Sequence, residues 1–485
     1  MNESRRATWN ARRLLLYFAR RSADNKDERR RRAPTFASRR RGERRIERKF
    51  NEKTDFDGVK RGRIERITTM EAKNRIEVFD NGLALIAEEA PWSEAISFAI
   101  RTPAGSIYNP PGKAGLASLT CEMTTRGAGG LGNREFLETL ENLGVESSES
   151  TSQSYMSIGA VGLAEHWERS LELLTAQLRD PIFPEDELES CRQIQLQEIA
   201  AIEDEPARKT LIELGRIFYP DPFGRPSFGD VESVNALTID DVRDFHRRFF
   251  RPNGTVVAVS GRFDWERVRD KVAALFGDWK PVETAEIVPV ASTTSTVHRE
   301  TDSAQTHIGL AFETIPFGDP EYHRAWGGVE VLSGGMSSRL FTEAREKRGL
   351  CYSVFASYNT HRDFGGVFCY CGTTAERAQE SLDVIVGEID RLRFDPPTES
   401  EMERMKIRAK SGLVMQREST TARAGAIVRD WTYLGKIRSF DETMASIDAL
   451  TSESIASYYE ERGERKFRLA TSGQTPLKLD EARLF

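Results

Sequence analysis

Three side chains at helical spacing pose the first chemical question. In residues 115–127, GLASLTCEMTTRG, a Gly-Leu-Ala lead runs into an amphipathic turn on which Ser118, Cys121 and Glu122 stand at i, i+3 and i+4, on one helical face. A hydroxyl, a thiol and a carboxylate match a hydrolytic metal centre poorly, because such a centre needs imidazoles to hold the ion and a carboxylate to activate its water. The six histidines, at 166, 246, 298, 307, 323 and 361, supply no pair at helical spacing. His166, beside Trp167, and His246, within DFHRRFF, read as surface or packing residues. No catalytic triad suggests itself, and neither glycine-rich segment has the spacing of a phosphate loop. Other capable residues lie in LSGGMSSRLFTEAREKRGLCYSVFASY, residues 332–358, where Arg345 and Tyr352 stand seven positions apart.

Residues 115–127 resemble the motif helix of the insulinase (pitrilysin) zinc metallopeptidases. That family includes the mitochondrial processing peptidases and carries an inverted His-x-x-Glu-His motif in this register. The three motif positions here are Ser118, Cys121 and Glu122, so none holds the family's residue. The family's third ligand is a glutamate on a later helix, and Glu198 of IQLQEIAAIEDEP stands at that position, 76 residues beyond Glu122. One ligand holds no zinc. The acidic residue usual two helical turns before that glutamate is replaced by Cys191. Residues 332–358 are similar to the second-domain segment of bacterial members, in which an Arg and a Tyr seven residues apart hold the substrate backbone or the developing oxyanion. The resemblance gives that role to Arg345 and Tyr352. FYPDPFGRP, residues 218–226, is similar to a loop common in the family and reads as structural.

Five cysteines, at 121, 191, 351, 369 and 371, form no CxxC pair and no framework spacing, which suits a reducing compartment and buried thiols. Cys369 and Cys371 fall on one strand face. If the family fold holds, Cys121 and Cys191 come near Glu122 and Glu198. A Cys2Glu2 metal site and a Cys121–Cys191 disulfide are the reactive alternatives there, and inert packing is the expected state.

The elements that must position these residues follow a duplicated plan. HWERSLELLTAQL, with Ser170, matches AERAQESLDVIVGEI, with Ser381, at an offset of 211; VNALTIDDV, with Leu237, matches IDALTSESI, with Leu450, at 213; Ser260-Gly261 matches Ser472-Gly473 at 212. The expected fold is α+β, with two homologous domains, each an antiparallel sheet packed with helices, as in the LuxS/processing-peptidase-like metallohydrolase fold. Their expected bounds are 71–280 and 298–485, joined by a Pro/Thr/Ser-rich linker, 281–297. Locally, RIEVFDNGLALIAE predicts a hairpin turning at Asn81-Gly82, and residues 95–102 the next strand. Asn133 is predicted to cap a helix with Phe136, Leu137, Leu140 and Leu143 on its apolar face. Strands are predicted around 155–161 and 255–260, helices over 165–177 and 184–202, and Ser337 as the cap of a short basic helix ended by Arg348-Gly349.

Length implies two or more domains, and the composition, 39% hydrophobic and 30% charged, suits a soluble globular protein with no run of membrane-spanning length. Residues 1–67 carry 23 Lys and Arg against 10 Asp and Glu, whereas the whole chain stands at −6, so a basic arm precedes an acidic body. The arm, residues 1–70 in the domain plan, is expected to be a disordered solvated tail, or a leader with Met70 as the start that the fold needs, rather than a nucleic-acid element. Its apolar stretch 14–19 is shorter than a signal-peptide core, so the cytoplasm is expected, or the periplasm if the start is mis-set.

The resemblance implies a chain that is catalytically silent alone and holds no metal itself. It would act as the non-catalytic subunit of a bacterial heterodimer and complete the peptide chamber of a homologous zinc-bearing subunit, with Arg345 and Tyr352 opposite that partner's zinc. Its partners would be that subunit and a peptide, with no nucleic acid and no membrane span. Two alternatives are a metallopeptidase working through Cys121, Glu122 and Glu198, and a purely structural subunit like the respiratory-complex core proteins of this fold. The Arg/Tyr pair weighs against a scaffold, which has no use for substrate-site donors.

Overall fold

The computed structural model describes residues 73–284 and 286–485; the basic arm and Met70 lie outside the described residues. Strands β1 (Lys73–Val78) and β2 (Ala84–Glu89) form the expected hairpin. Its turn closes through Gly82 N–H to Phe79 O at 2.8 Å, with Gly82 at φ +85°, a conformation that favours glycine. On β3 (Ala95–Thr102) alternation sends Ile96, Phe98 and Ile100 into the main core and leaves Ser97, Ala99 and Arg101 on the opposite face. After the short ribbon β4 (Gly127–Ala128) and β5 (Leu131–Gly132), strands β6 (Glu146–Thr151), β7 (Met156–Leu163) and β8 (Val256–Gly261) complete a sheet of order β1-β2-β8-β3-β7-β6. Every residue of VVAVSG on β8 is buried, as expected for a central strand covered on both faces.

Strands β9 (Thr296–Glu300), β10 (Gln305–Thr314), β11 (Cys351–Thr360), β12 (Gly365–Thr374) and β13 (Arg468–Gly473) form the second sheet, of order β11-β12-β10-β13-β9. Read from its other edge this is β9-β13-β10-β12-β11, which repeats β2-β8-β3-β7-β6 strand for strand. Each sheet is antiparallel except at one equivalent pair, β2 with β8 and β9 with β13. The repeat extends to single bonds: the Ser170 and Ser381 hydroxyls each donate to the carbonyl four residues back, His166 and Arg377, at 2.8 Å.

The helices are exchanged between the halves. The helix Pro206–Phe218 packs Leu214 and Ile217 on the second sheet against Ala311, Phe368 and Ala470. Gly309 allows the approach, since a Cβ there would stand 3.3 Å from Leu214 and 3.4 Å from Thr210. In return the crossing helix Thr420–Leu434 lays Ile427 and Val428 on Ala84, Ile86, Val256 and Ala258 of the first sheet. Thr420 meets Ser97 at 2.8 Å, and Arg423 forms a buried ion pair with Glu88.

Two local expectations are corrected. Asn133 is the first residue of the helix Asn133–Asn142, not its cap; its amide donates to Glu187 at 2.8 Å, Gly132 precedes it, and Leu137 is exposed. Ser337 does not cap the basic segment. Helical turns begin after Ser338, whose carbonyl accepts the Thr342 N–H at 2.9 Å, and continue as a π-helix, Phe341–Lys347. Among the described residues no helix is long and apolar enough to cross a membrane.

Candidate functional site

The motif helix Leu116–Met123 starts at Gly115, φ +88°, where a Cβ would stand 2.6 Å from Gln195 Nε2 and 2.7 Å from Phe228 O. Only glycine fits. Gln195 lies on the helix Leu188–Glu203 and donates to Gly115 O at 3.1 Å and to Phe228 O at 2.7 Å, which locks the two helices together. On this frame Ser118 Oγ donates to Ser227 O at 2.9 Å. Cys121 is buried, and burial pushes its thiol up to about 12 against the opposing hydrogen bond with Thr151. Glu122 is ion-paired with Arg126 one turn on, and Arg126 Nε reaches Cys191 Sγ at 3.2 Å. Burial also raises the Cys191 thiol, although Arg126 opposes it. Glu149 of β6 is close by, its carboxyl raised by burial while Gln177 donates to it at 2.9 Å. Glu198 stands apart, paired with Arg208 at 2.9 Å.

The structure thus gathers Glu122 and Cys191 around a guanidinium and leaves Glu198 outside the group. A zinc ion needs deprotonated ligands turned to one point. Here both thiols are held protonated, both carboxylates are engaged by arginines, and Arg126 fills the space between Glu122 and Cys191. The described residues contain no group of three His, Cys, Asp or Glu side chains placed to share an ion. This donor set does not fit zinc. The Cys2Glu2 alternative fails on the same geometry, and all five cysteines are free thiols.

Arg345 and Tyr352 do meet each other. The Arg345 guanidinium lies 4.8 Å from the ring centroids of both Phe341 and Tyr352. Tyr352 is 83% exposed. It is the extra residue of a β-bulge, between Cys351, which pairs with Thr373, and Ser353, which pairs with Gly372. Bulges re-aim side chains, and this one turns the phenol off the sheet. Among the described residues no carboxylate pairs with Arg345. The π-helix is anchored by the buried Arg339, whose Nε donates to Glu401 at 2.8 Å.

A chamber of about 830 Å³ opens between the two sheets' helices, lined by Glu198, Arg208, Tyr219, Phe223, Phe368, Ser357 and residues 359–361. Arg345 and Tyr352 do not line it, because Tyr352 sits five residues, roughly 17 Å, along β11 from Ser357. Sequence reasoning missed this chamber. Its aromatic wall comes from the loop read as structural, with the His361 ring 4.8 Å from Tyr219 and 5.9 Å from Phe223. The signal available was the aromatic density of FYPDPFGRP.

Two family models match the chain: residues 85–226 match that described as Insulinase (Peptidase family M16), and residues 236–408 match Peptidase M16 inactive domain. The chain belongs to the insulinase (M16) peptidase family. Among its relatives, Uncharacterized zinc protease YmxG of Bacillus subtilis is 26% identical over 377 residues, 77% of this chain and 92% of that protein. Uncharacterized zinc protease SCO5738 of Streptomyces coelicolor is 27% identical over 416 residues, 83% and 89% of the two chains. The fold is shared with a crystal structure of a peptidase M16 inactive domain from Pseudomonas fluorescens, TM-score 0.77 and 23% identity over 84% of this chain and 99% of that one. It is shared also with a protease from Helicobacter pylori, TM-score 0.73 and 19% identity over 83% and 99%. In this insulinase-family chain Arg345 and Tyr352 fall inside the segment matched by the inactive-domain model, and Ser118, Cys121 and Glu122 inside the other.

Proposed function

We propose that this chain is the non-catalytic subunit of a two-chain insulinase-family peptidase, presenting Arg345 and Tyr352 to the zinc site of a homologous partner that hydrolyses peptides. The observation that carries the reading is a contrast in charge satisfaction. Around the motif helix Glu122 has Arg126 and Glu198 has Arg208. Among the described residues Arg345 meets two rings and no carboxylate, and Tyr352 stands 83% exposed on a bulge. A cation and a phenol offered outward are suited to a charge that this chain does not supply. The oxyanion formed when water adds to a peptide carbonyl is such a charge.

The test assays the purified chain and a zinc-bearing homologue on a generic fluorogenic peptide, separately and mixed. The chain alone is expected to contain no zinc and cleave nothing, and the mixture to exceed the homologue alone. Arg345→Ala should lower the mixed activity about 100-fold, the cost of one oxyanion donor. Its thermal midpoint should barely move, since exposed cation–π contacts contribute about 0.5–1 kcal/mol. Stoichiometric zinc with cleavage by the lone chain overturns the proposal. An Arg345→Ala mixture as active as the parent leaves only a scaffold.

A further inference from the structure

Around Tyr155, which the interlobe chamber shares with a second cavity, two arginines have no ion-pair partner among the described residues: Arg362, which lines the second cavity, and Arg101, which lines neither and lies against the Tyr155 ring. Arg101 stands on the β3 face that meets the crossing helix, and it pairs in register with Ser157. Tyr155, two residues along, is therefore its diagonal neighbour on the same face, and the Arg101 guanidinium lies 5.8 Å from the Tyr155 ring centroid. Arg101 Nη1 is buried and has no hydrogen-bond partner. Such a donor costs stability unless something accepts from it. Tyr155 lines the large chamber together with Tyr433 of the crossing helix, and it lines a second cavity of about 350 Å³ together with Arg362 of the β11–β12 turn. The two cavities meet at Ser154, Tyr155, Phe223 and His361.

The electrostatics of the rim point the same way. Burial lowers the Arg101 pKa, and Arg429 of the crossing helix adds to that effect. Asp363 and Glu286 line the smaller cavity, but neither is ion-paired with Arg101 or Arg362 among the described residues. The Tyr155 and Tyr433 hydroxyls likewise have no partner there. Guanidinium forks and phenols are the donors that recognise a carboxylate in a planar, two-pronged manner. The adjoining walls suit a peptide: they are aromatic, and the chamber borders the ends of β6 and β11, each an edge strand with one side unpaired.

We propose that the junction of the two cavities around Tyr155 is a carboxylate-binding site, in which Arg362 and the Tyr155 and Tyr433 side chains stand on the cavity walls and Arg101 reinforces them through its contact with Tyr155, and that it anchors a peptide by its C-terminal or an acidic side-chain carboxylate. The site needs neither Arg345 nor a partner chain, so it stands or falls separately from the role proposed for that pair.

The full chain is titrated with one N-terminally labelled apolar hexapeptide in three forms: free acid, C-terminal amide, and amide with an internal glutamate. Fluorescence anisotropy gives the affinities. The free acid or the glutamate form is expected to bind at least about tenfold more tightly than the plain amide, and which of the two does so identifies the carboxylate. In the Arg101→Gln/Arg362→Gln double variant that preference should fall below about twofold. Arg362→Gln alone, on an exposed turn, should lose part of it with an unchanged thermal midpoint, which keeps the test valid if Arg101 is needed for folding. Equal binding of all three forms, no binding of any, or a preference that survives the Arg362→Gln variant in full would overturn the site. So would displacement of the free acid by inorganic phosphate at concentrations where acetate has no effect.

Discussion

The exchange of helices between the two halves makes one ion pair decisive. Glu88, on β2, is 3% exposed, and its carboxylate accepts Arg423 Nε at 2.6 Å and the Arg423 Nη2 besides, so the contact is a two-pronged fork. The Arg423 side chain is 15% exposed. Glu88→Ala leaves that guanidinium desolvated and without counter-charge, which costs about 3–5 kcal/mol for a buried pair with one partner removed. Glu88→Gln keeps the shape and one acceptor but loses the charge, and should cost about 1.5–3 kcal/mol, the worth of a hydrogen bond to a charged group. Replacing both partners, Glu88→Leu with Arg423→Leu, removes the stranded charge as well and should recover most of the loss, because apolar side chains of similar volume serve such sites as well as ions do. Urea unfolding followed by tryptophan fluorescence is the assay, and Trp431, packed at this same contact, reports on it directly. A loss under about 1 kcal/mol for Glu88→Ala, or a double variant no more stable than Glu88→Ala, would refute the reasoning that this fork fastens the crossing helix to the first sheet.

Acid should loosen the Arg345 segment at its anchor. Burial on its own would raise the Glu401 carboxyl, but the Arg339 guanidinium and the Thr398 N–H outweigh it and hold the group at about 2. A folded-state value below the unfolded value of about 4.3 means that the stabilisation is complete above that pH and is lost as pH falls toward 2, amounting to about 3 kcal/mol. Thermal midpoints taken from pH 5 to pH 2 should show this slope in the parent and its absence in Glu401→Gln. At the motif helix Arg126→Leu should destabilise by about 1–2 kcal/mol, a charged hydrogen bond discounted because Glu122 is about a third exposed. Metal analysis of the same variant should still find no stoichiometric zinc. A full equivalent of zinc would mean that the guanidinium, rather than the missing imidazoles, excludes the ion.

Much of the fold could be read from the sequence because the decisive signals are local or repeated. Alternation placed β3 at residues 95–102, and three segments matched at offsets of 211 to 213 anticipated two copies of one domain, which fold as two sheets sharing a strand order and the equivalent bonds of Ser170 and Ser381. The exchange of helices was not legible. Periodicity says that the helix Pro206–Phe218 has an apolar face but not which sheet that face covers, and the answer depends on Gly309, a hundred residues away. The Tyr352 bulge was equally hidden, since it is a mismatch in count between two strands and not a property of either. Asn133 shows the opposite failure: a residue type suited to capping is used instead for a tertiary hydrogen bond to Glu187, while Gly132 precedes the helix. At the site, the i+4 relation of Arg126 to Glu122 is legible in residues 115–127, but its reach to Cys191 on another helix is not.

That arginine changes how the motif helix is read. Without it, Glu122 and Cys191 would stand close together and partly desolvated with no cation between them, an arrangement that disfavours the charged carboxylate. The guanidinium of Arg126 supplies a permanent cation where those groups converge, so the helix pair Leu116–Met123 and Leu188–Glu203 stays locked by side chains of the chain itself. Among the described residues no such closure exists at Arg345, whose guanidinium lies against the half-buried Phe341 and the exposed Tyr352 for a gain of about 0.5–1 kcal/mol. Stability alone does not account for both treatments. The first site is closed within the chain; under the proposed function, the second would be closed by the oxyanion formed at a partner's zinc site.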